Sequence, residues 1–535
     1  MAGERNTPYD PQTLRMSRRR RTALAGSAAL LLLAAALPAR ASDVPEWTPA
    51  AEDELEPHHT RSAIEMGAGL AAGSVLYWLM MDRNIADWDN PTPEERFDGT
   101  AWRLDNNSLA VNFIAHPMMG GAAYSFARAN HQSPLGSFGY SFLTSFIWEF
   151  VLEFKEKVSV NDVVVTPVAG VPIGEFFYKL GLYLGSAEQP SAGMQALQWS
   201  LGTGVALDRA LDGRDAPTIR ARDELGLASA IWHDFELGYR AAAVSSPGSP
   251  DYLRHDVAVR AKLVTLPGYL RARSFGRFFH GAELSDFAIG TELSAHGGGM
   301  TMSSDTLLAG YHAQRMDGPA LAPRGHAVTA GVSVAYSYLK SRANDYRPFD
   351  EAVVLPAPDL SYHIPKHAEQ YSALHLPGAA LDWHLHAPEV ALSLAARAHP
   401  DFAGLSAPAF YDWAAANLDE KGKHILHRQG YFYGWGASGS LSASLRLGPL
   451  RLEAEVFHGR YWSQDGLDRH IERVTVDVPA SGQVLFYHGS IGVKPPLLPL
   501  VLGADFGVRR FQAEVGGYER VGRISHHGFV ARYSF

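Results

Sequence analysis

From about residue 228 onward, apolar and polar side chains alternate with a period of two. Between Trp435 and Leu447, tryptophan, alanine and leucine fall on one face of an extended chain, while serines and Arg446 fall on the other. This alternation predicts antiparallel strands with one apolar and one polar face. The predicted strands lie near residues 229–243, 254–265, 285–296, 300–313, 325–338, 371–386, 389–399, 431–447, 449–461, 483–495, 498–511 and 525–535, about twelve in all.

Residues 62–211 follow a helical period instead. The expected fold class is therefore α+β by segregated segments, an N-terminal helical bundle followed by an antiparallel β-barrel. The alternation alone also fits a soluble sandwich, because only in a transmembrane barrel does the polar face line a lumen and the apolar face meet lipid. Five helices are predicted, near residues 62–81, 105–130, 137–157, 160–184 and 191–211.

The lengths of the connections favour the transmembrane barrel. Short connections at 387–388, 448 and 496–497 alternate with long ones at 339–370, 400–430, 462–482 and 512–524. Short turns on one side and long loops on the other are typical of outer-membrane barrels, and an even strand count returns both ends to the periplasm. One connection, 264–285, should be short by this rule and is not.

The last predicted strand, 525–535, places Phe529, Tyr533 and Phe535 on its apolar face. A strand that stops at a terminal Phe resembles the closing strand of bacterial outer-membrane β-barrels. That resemblance implies that these aromatic residues are an assembly signal. It also implies two partners, outer-membrane lipid and the barrel-assembly machinery.

The N-terminal end agrees with export. Residues 18–21 are all arginine, residues 23–37 are apolar, and Ala39-Arg40-Ala41 is a cleavage pattern, so residues 1–41 are predicted to be a signal peptide. The expected order is then a linker at 42–60, a helical domain at 61–213 that is periplasmic or membrane-apposed, a linker at 214–227 and the barrel at 228–535. The expected location is the outer membrane, with the helical domain in the periplasm.

Composition removes several classes of function. The 535 residues include no cysteine, which excludes disulfides, thiolate chemistry and Cys-ligated metal sites. The formal charge is −9, and an acidic exported chain is a poor partner for nucleic acid. No cofactor is expected. Two histidine pairs, His58-His59 and His526-His527, are interpreted as solvated or interfacial rather than as metal ligands.

The helical segment carries the strongest candidate chemistry. It contains Asn112-x3-His116-Pro117, then Glu149-x3-Glu153, then Ser159-x2-Asp162 and Gly170-x3-Gly174-Glu175. Over about residues 85–185 this pattern resembles the bacterial domain of unknown function 3943, and residues 149–175 are loosely similar to VanZ-like membrane proteins. Neither resemblance implies an established activity.

The candidate catalytic residues are His116, Glu149, Glu153, Asp162 and Glu175, with Arg128 as a possible partner of the glutamates. A histidine among carboxylates can bind a divalent metal or act in general acid and base catalysis. The favoured interpretation is a buried polar network that sets helix register, because no nucleophile, metalloprotease or phosphate-loop spacing accompanies these groups. No metal site is assigned.

The predicted barrel interior has mixed charge, which argues against a strong ion-selectivity filter. Asp382, His384 and His386 are interpreted as lumen lining, because barrel enzymes that act on lipid need a lipid-facing nucleophile. Three hypotheses follow: a non-enzymatic outer-membrane structural element, narrow pore or platform; an envelope enzyme acting on lipid or glycan through the helical cluster; or inner-membrane helices with a soluble β domain. The predicted lumen residues are Arg240, Arg260, Lys262, Glu292, Glu453, Asp505 and Arg509.

Overall fold

The computed structural model describes residues 55–80, 89–214, 217, 219, 221–246, 249–295, 297–319, 323–342, 368–496 and 498–534. The predicted signal peptide, most of the first linker and Phe535 lie outside these residues. The prediction of a helical segment followed by a barrel of about twelve strands is confirmed, because twelve antiparallel strands close into a ring. The ring closes where the last strand pairs with the first, from Ser525 opposite Ser245 to Ser534 opposite Glu236.

Each ring strand pairs with its neighbours along the chain, which is an up-and-down arrangement. Two further two-residue strands, β1 (Trp102–Arg103) and β2 (Val158–Ser159), pair with each other in the helical segment. The ring strands are β3 Trp232–Ser246, β4 Ser249–Val264, β6 Leu284–Ser294, β7 Gly297–Asp317, β8 Arg324–Arg342, β9 Ala368–His386, β10 Val390–Ser406, β11 Tyr431–Leu447, β12 Leu450–Ser463, β13 Ala480–Val493, β14 Leu500–Val515 and β15 Tyr518–Ser534.

Two predicted connections differ from the structure. The unexpectedly long turn at 264–285 contains another strand, β5 (Ser274–Phe279), which pairs with the part of β7 that extends past β6. The predicted long loop at 512–524 is wrong, because β14 and β15 continue until only Gly516 and Gly517 separate them. Both glycines have positive φ, +55° and +87°, which allows a two-residue hairpin turn.

The helices follow the predicted segments, with π-helical turns at Val111–Ala115 and Trp148–Leu152. The predicted helix 191–211 is broken at Gly202, where an added Cβ would lie 2.3 Å from the Cα of Gly181. A six-residue helix with a capping box at Thr92 was missed because it is too short to show a period. The helices are α1 His59–Met80, α2 Pro93–Asp98, α3 His116–Ala129, α4 Pro134–Ile147, α5 Val160–Leu184, α6 Ala192–Leu201, α7 Thr203–Asp212, α8 Phe410–Ala416 and α9 His424–Gln429.

Helix α5 packs against the outer wall of the barrel. On β6, Asp286 points into the lumen, where its carboxylate lies 3.6 Å from the Lys262 ammonium. The flanking residues point outward: Ser285 accepts a hydrogen bond from Lys179 of α5 at 2.8 Å, and Phe287 stacks on Phe176 at 4.9 Å between ring centroids. The outward side chains of this part of β6 are therefore covered by α5.

The helical domain extends along the wall from one rim to the other. At the long-loop rim, the Leu104 amide donates to the Leu467 carbonyl of the β12–β13 loop at 2.7 Å. At the short-turn rim, the ring of Tyr183 in α5 packs against His233 at the start of β3, with centroids 5.1 Å apart. The helical domain therefore lies beside the barrel wall rather than beyond the short-turn rim.

The β10–β11 connection closes the long-loop end of the lumen. Its helix α8 places Phe410 and Trp413 among lumen-facing side chains at the strand ends, including Leu405, Tyr461 and Phe511. These residues form one buried apolar cluster. The cap therefore resembles a small hydrophobic core built inside the barrel mouth.

Candidate functional sites in the helical domain and the barrel lumen

His116 and Asp162 meet where α3 and α5 begin. His116 Nε2 lies 3.7 Å from Asp162 Oδ2, and the Ser145 hydroxyl donates to the Asp162 carbonyl at 2.9 Å. Glu149 lies in the second π-helical turn, is almost fully buried and accepts the Ser159 amide at 3.2 Å. Such π turns often occur at functional sites, because they displace one side chain from the regular helical face.

The barrel contributes two tyrosines to this cluster. Asn112 donates to the hydroxyl of Tyr431 at 3.0 Å and also to Tyr433. Asn161 bridges Asp162 at 2.8 Å and Tyr433 at 3.3 Å. Sequence reasoning missed the tyrosines, since nothing local to Tyr-x-Tyr at the start of β11 indicates contact with residues some 320 positions earlier.

Glu153 and Glu175 have separate environments. Glu153 is half-buried and accepts a hydrogen bond from the Trp148 indole at 2.7 Å. Its loss of hydration, followed by the nearby Glu156 carboxylate, raises its pKa to about 8. Glu175 lies thirteen residues beyond Asp162 on α5, roughly 20 Å along the helix axis, so it does not join the His116 cluster.

Glu175 instead neutralises two buried cations. Its carboxylate accepts Arg128 Nε at 2.9 Å and the Tyr124 hydroxyl at 2.9 Å, and lies 3.7 Å from Lys179 Nζ. Arg128 is therefore not the partner of Glu149 and Glu153 that the sequence suggested. Because Lys179 also donates to Ser285 and to the Ala282 carbonyl of the barrel, this group fastens α5 to the wall.

The lumen residues form ion pairs across the barrel interior. Arg509 Nη2 lies 2.7 Å from Glu292 Oε1, which joins β14 to β6, and Lys262 Nζ lies 3.7 Å from Asp382 Oδ2, which joins β4 to β9. In neither case are the two strands neighbours in the ring, so these ion pairs cross the lumen. Further pairs are Arg240 with Asp505 at 3.0 Å and Arg532 with Glu453 at 2.5 Å.

Two cavities remain inside the barrel, with volumes of about 330 and 650 Å³. Arg260 lines both, as does Ser337. The larger cavity extends toward the short-turn rim at Trp232 and His386, and the smaller one extends toward the cap at Tyr371. The interior thus holds two adjacent chambers, with shared lining residues, below an apolar lid.

Two groups in the described part of the chain have metal-ligand residue types. One is His488, Asp505 and His526 in the lumen, where the two Nε2 atoms lie 2.5 and 3.0 Å from the Asp505 carboxylate. Arg240 already binds the same carboxylate. His526 is therefore a buried lumen residue, rather than the solvated or interfacial residue that the sequence suggested.

The second group joins α1 to α7 through His58, His131, Asp208 and Asp212. Arg61 binds both of its carboxylates, and Arg214 binds them as well. Guanidinium groups thus supply the positive charge that a bound cation would otherwise provide.

Comparisons with known proteins match the two parts separately. A family model described as Domain of unknown function (DUF3943) matches residues 101–203, which contain His116, Glu149, Asp162 and Glu175. This confirms the resemblance seen in the sequence for that segment. Among curated proteins, no sequence match to the chain was found.

Solved outer-membrane proteins match the chain at low similarity. The P. putida toluene transporter TodX is 10% identical, with 56% of this chain and 89% of that chain covered and a TM-score of 0.21. The translocator domain of the autotransporter NalP from Neisseria meningitidis is 12% identical, with 64% and 98% covered and a TM-score of 0.19. OmpT of Vibrio cholerae is 10% identical, with 58% and 99% covered and a TM-score of 0.20. At these scores the likenesses carry no weight for function.

Proposed function

We propose that this chain is an outer-membrane protein in which the barrel and the helical domain form one body at the height of the membrane. An apolar outer surface supports this proposal. On the barrel wall not covered by helix, Leu441, Phe506 and Phe529 are 53%, 57% and 48% exposed. Their neighbours in sequence point into the polar lumen, as in membrane barrels whose apolar face meets lipid.

The helical domain also exposes apolar side chains. Helix α4 exposes Phe142 and Leu143, and α1 exposes Val75 and Leu76. Two helical segments, Pro134–Leu152 and Val160–Leu184, are long and apolar enough to cross a membrane. A soluble protein rarely exposes large apolar patches, so lipid is the partner that best accounts for these exposed side chains.

The buried polar groups are consistent with this position. Charged side chains at membrane depth are tolerated where they pair inside the protein, as Glu175 does with Arg128 and Lys179. The His116–Asp162 cluster is bonded through Asn161 to the barrel tyrosines, which supports a structural role over an envelope enzyme acting on lipid or glycan. The helical domain is then membrane-apposed rather than free in the periplasm.

The proposed role is a structural or platform one rather than that of an open pore. The apolar cap closes the long-loop end, and ion pairs between non-adjacent strands cross the lumen. By the usual orientation of such barrels, the short-turn rim faces the periplasm. The exposed apolar side chains on the barrel wall and on α1 and α4 are the observation that carries the proposal.

Single spin labels test the membrane position directly. Because the chain has no cysteine, Leu441→Cys, Phe142→Cys and Ser442→Cys each create one labelling site. In lipid vesicles, labels at 441 and 142 should be relaxed by oxygen, which partitions into lipid. The label at Ser442, which points into the lumen, is the matched control and should respond to a water-soluble nickel complex instead. Water contact at 142 alone would place the helical domain outside the membrane, and water contact at 441 would overturn the whole proposal.

A further inference from the structure

Three lumen-facing side chains on adjacent strands form a hydrogen-bonded chain. Ser337 lies on β8, His375 on β9 and Asp401 on β10. Ser337 Oγ lies 3.0 Å from His375 Nε2, and His375 Nδ1 lies 2.8 Å from Asp401 Oδ1. Register explains the proximity, because His375 is directly opposite Asp401 and diagonal to Ser337 across the β8–β9 ladder.

The surroundings hold the histidine in one orientation. The second oxygen of Asp401 accepts the Tyr461 hydroxyl at 3.0 Å, and the Ser438 hydroxyl lies 3.1 Å from His375 Nδ1. Since the Asp401 carboxylate can only accept, Nδ1 carries the proton and Nε2 is left to accept the proton of Ser337. His375 and Asp401 are buried at 4% and 1% exposure, whereas Ser337 is half-buried and borders both cavities.

We propose that Ser337, His375 and Asp401 form the catalytic triad of a carboxylic-ester hydrolase inside the barrel. Geometry and roles define such a triad, which recurs on unrelated folds. Ser337 Oγ attacks the ester carbonyl while His375 Nε2 takes its proton, and the same proton then passes to the departing alcohol oxygen. Water attacks the resulting acyl-Ser337 with His375 again as the base, which releases the carboxylic acid and restores the serine.

The cavities indicate the class of substrate. At its cap end the smaller chamber is lined by Leu339, Tyr371 and Phe486, which suit a short acyl group, whereas the rest of its lining includes charged side chains such as Arg240 and Asp505. The larger chamber is lined by charged and hydroxyl side chains and suits a polar alcohol part that enters from the short-turn rim. Ser303, directly opposite Ser337 and bordering both chambers, places a hydroxyl donor beside the developing oxyanion.

Little in the sequence indicates this site. Its nucleophile lies within a strand and lacks the Gly-x-Ser-x-Gly turn, and Asp401 falls in a segment predicted to be a loop, because β10 continues to Ser406. The expectation that a barrel enzyme needs a lipid-facing nucleophile excludes lumen residues only for a substrate that stays in the lipid. A substrate that enters the barrel can reach a nucleophile in the lumen.

A small organophosphate that forms a stable serine adduct tests the proposal on the full-length protein in detergent. The wild-type protein should be labelled at Ser337, as located by peptide mass spectrometry, and should hydrolyse p-nitrophenyl acetate and butyrate. Ser337→Ala should abolish labelling. His375→Gln and Asp401→Asn should each reduce the rate of labelling by about 10³-fold or more. Ser442→Ala, another lumen serine bordering the larger cavity, is the matched control and should react like wild type.

Heat-modifiable migration in gels must be kept by each variant, so that loss of labelling cannot result from unfolding. If a variant unfolds, competition in the wild type provides the second measurement. Excess p-nitrophenyl butyrate should slow the labelling of Ser337, because both reagents react with the same serine. Absence of labelling in the folded wild type, labelling at another serine, or an unchanged rate in His375→Gln would overturn the proposal.

Discussion

The buried group formed by Glu175, Arg128 and Lys179 gives a sharp test of how the helical domain is held to the barrel. Glu175 is 0% exposed, and its two cationic partners are 2% and 1% exposed. Glu175→Gln keeps the size of the side chain and most of its hydrogen bonding but removes the charge. Both buried cations then lose the carboxylate charge beside them. Removing one partner of a buried ion pair typically costs about 3–5 kcal/mol.

The expected loss is therefore about 3 kcal/mol in the free energy of unfolding of the helical domain. Urea titration in detergent, with hydrogen exchange of α5 amides as the readout, measures it, and heat-modifiable migration reports separately on the barrel. Glu188→Gln is the matched control, because Glu188 pairs with Arg222 at 3.1 Å while its side chain is 76% exposed. An exposed pair of this kind contributes about 0–1 kcal/mol.

A second variant separates charge from packing. Replacing the whole group, as Arg128→Met, Glu175→Leu and Lys179→Met together, leaves no unpaired charge and should recover more than half of the loss. Equal stability of Glu175→Gln and Glu188→Gln would refute the argument that a buried charge balance holds α5. A triple variant as unstable as the single one would assign the loss to hydrogen bonds or shape instead.

Three further predictions concern packing and the cap. In Gly170→Ala the new Cβ would lie 2.5 Å from the Gly120 carbonyl carbon, so the free energy of unfolding measured by urea titration should fall by about 1–3 kcal/mol. In the control Gly139→Ala the new Cβ has no atom within 4 Å, so the free energy of unfolding should rise by up to about 1 kcal/mol. Trp413→Ala should open the cap and raise single-channel conductance in planar bilayers above that of a silent wild type; a silent variant would contradict the assignment of α8 as the lid. Burial lowers the pKa of His427 in α9 to about 4, so between about pH 6.5 and pH 4 only the unfolded histidine binds a proton. The cap should therefore be fully stable above about pH 6.5 and lose up to about 3 kcal/mol of stability as the pH falls toward 4. Faster proteolysis of residues 407–430 at pH 4.5, absent in His427→Phe, would verify this.

Much of the fold could be read from periodicity. The alternation of period two located all twelve ring strands, although β10 ends and β15 begins seven residues outside the predicted bounds. Helix α5 has the predicted bounds, 160–184. The same parity predicts which side chains point inward, because successive residues of a strand face opposite sides. The predicted strand ends were wrong where the position of a turn, rather than the alternation, decides them, as at Gly516 and Gly517.

By itself, the sequence determined the strands, their inward and outward faces and the existence of a helical segment, since these depend on side chains close in the chain. Only the tertiary structure decided whether an outward face contacts lipid or the helical domain. An apolar surface packs equally well against either, so no local pattern indicates that α5 covers β6 and β7. Partner choice likewise depends on register between distant strands, which is why Glu175 was grouped with the wrong carboxylates and why Ser337, His375 and Asp401 were not recognised as neighbours.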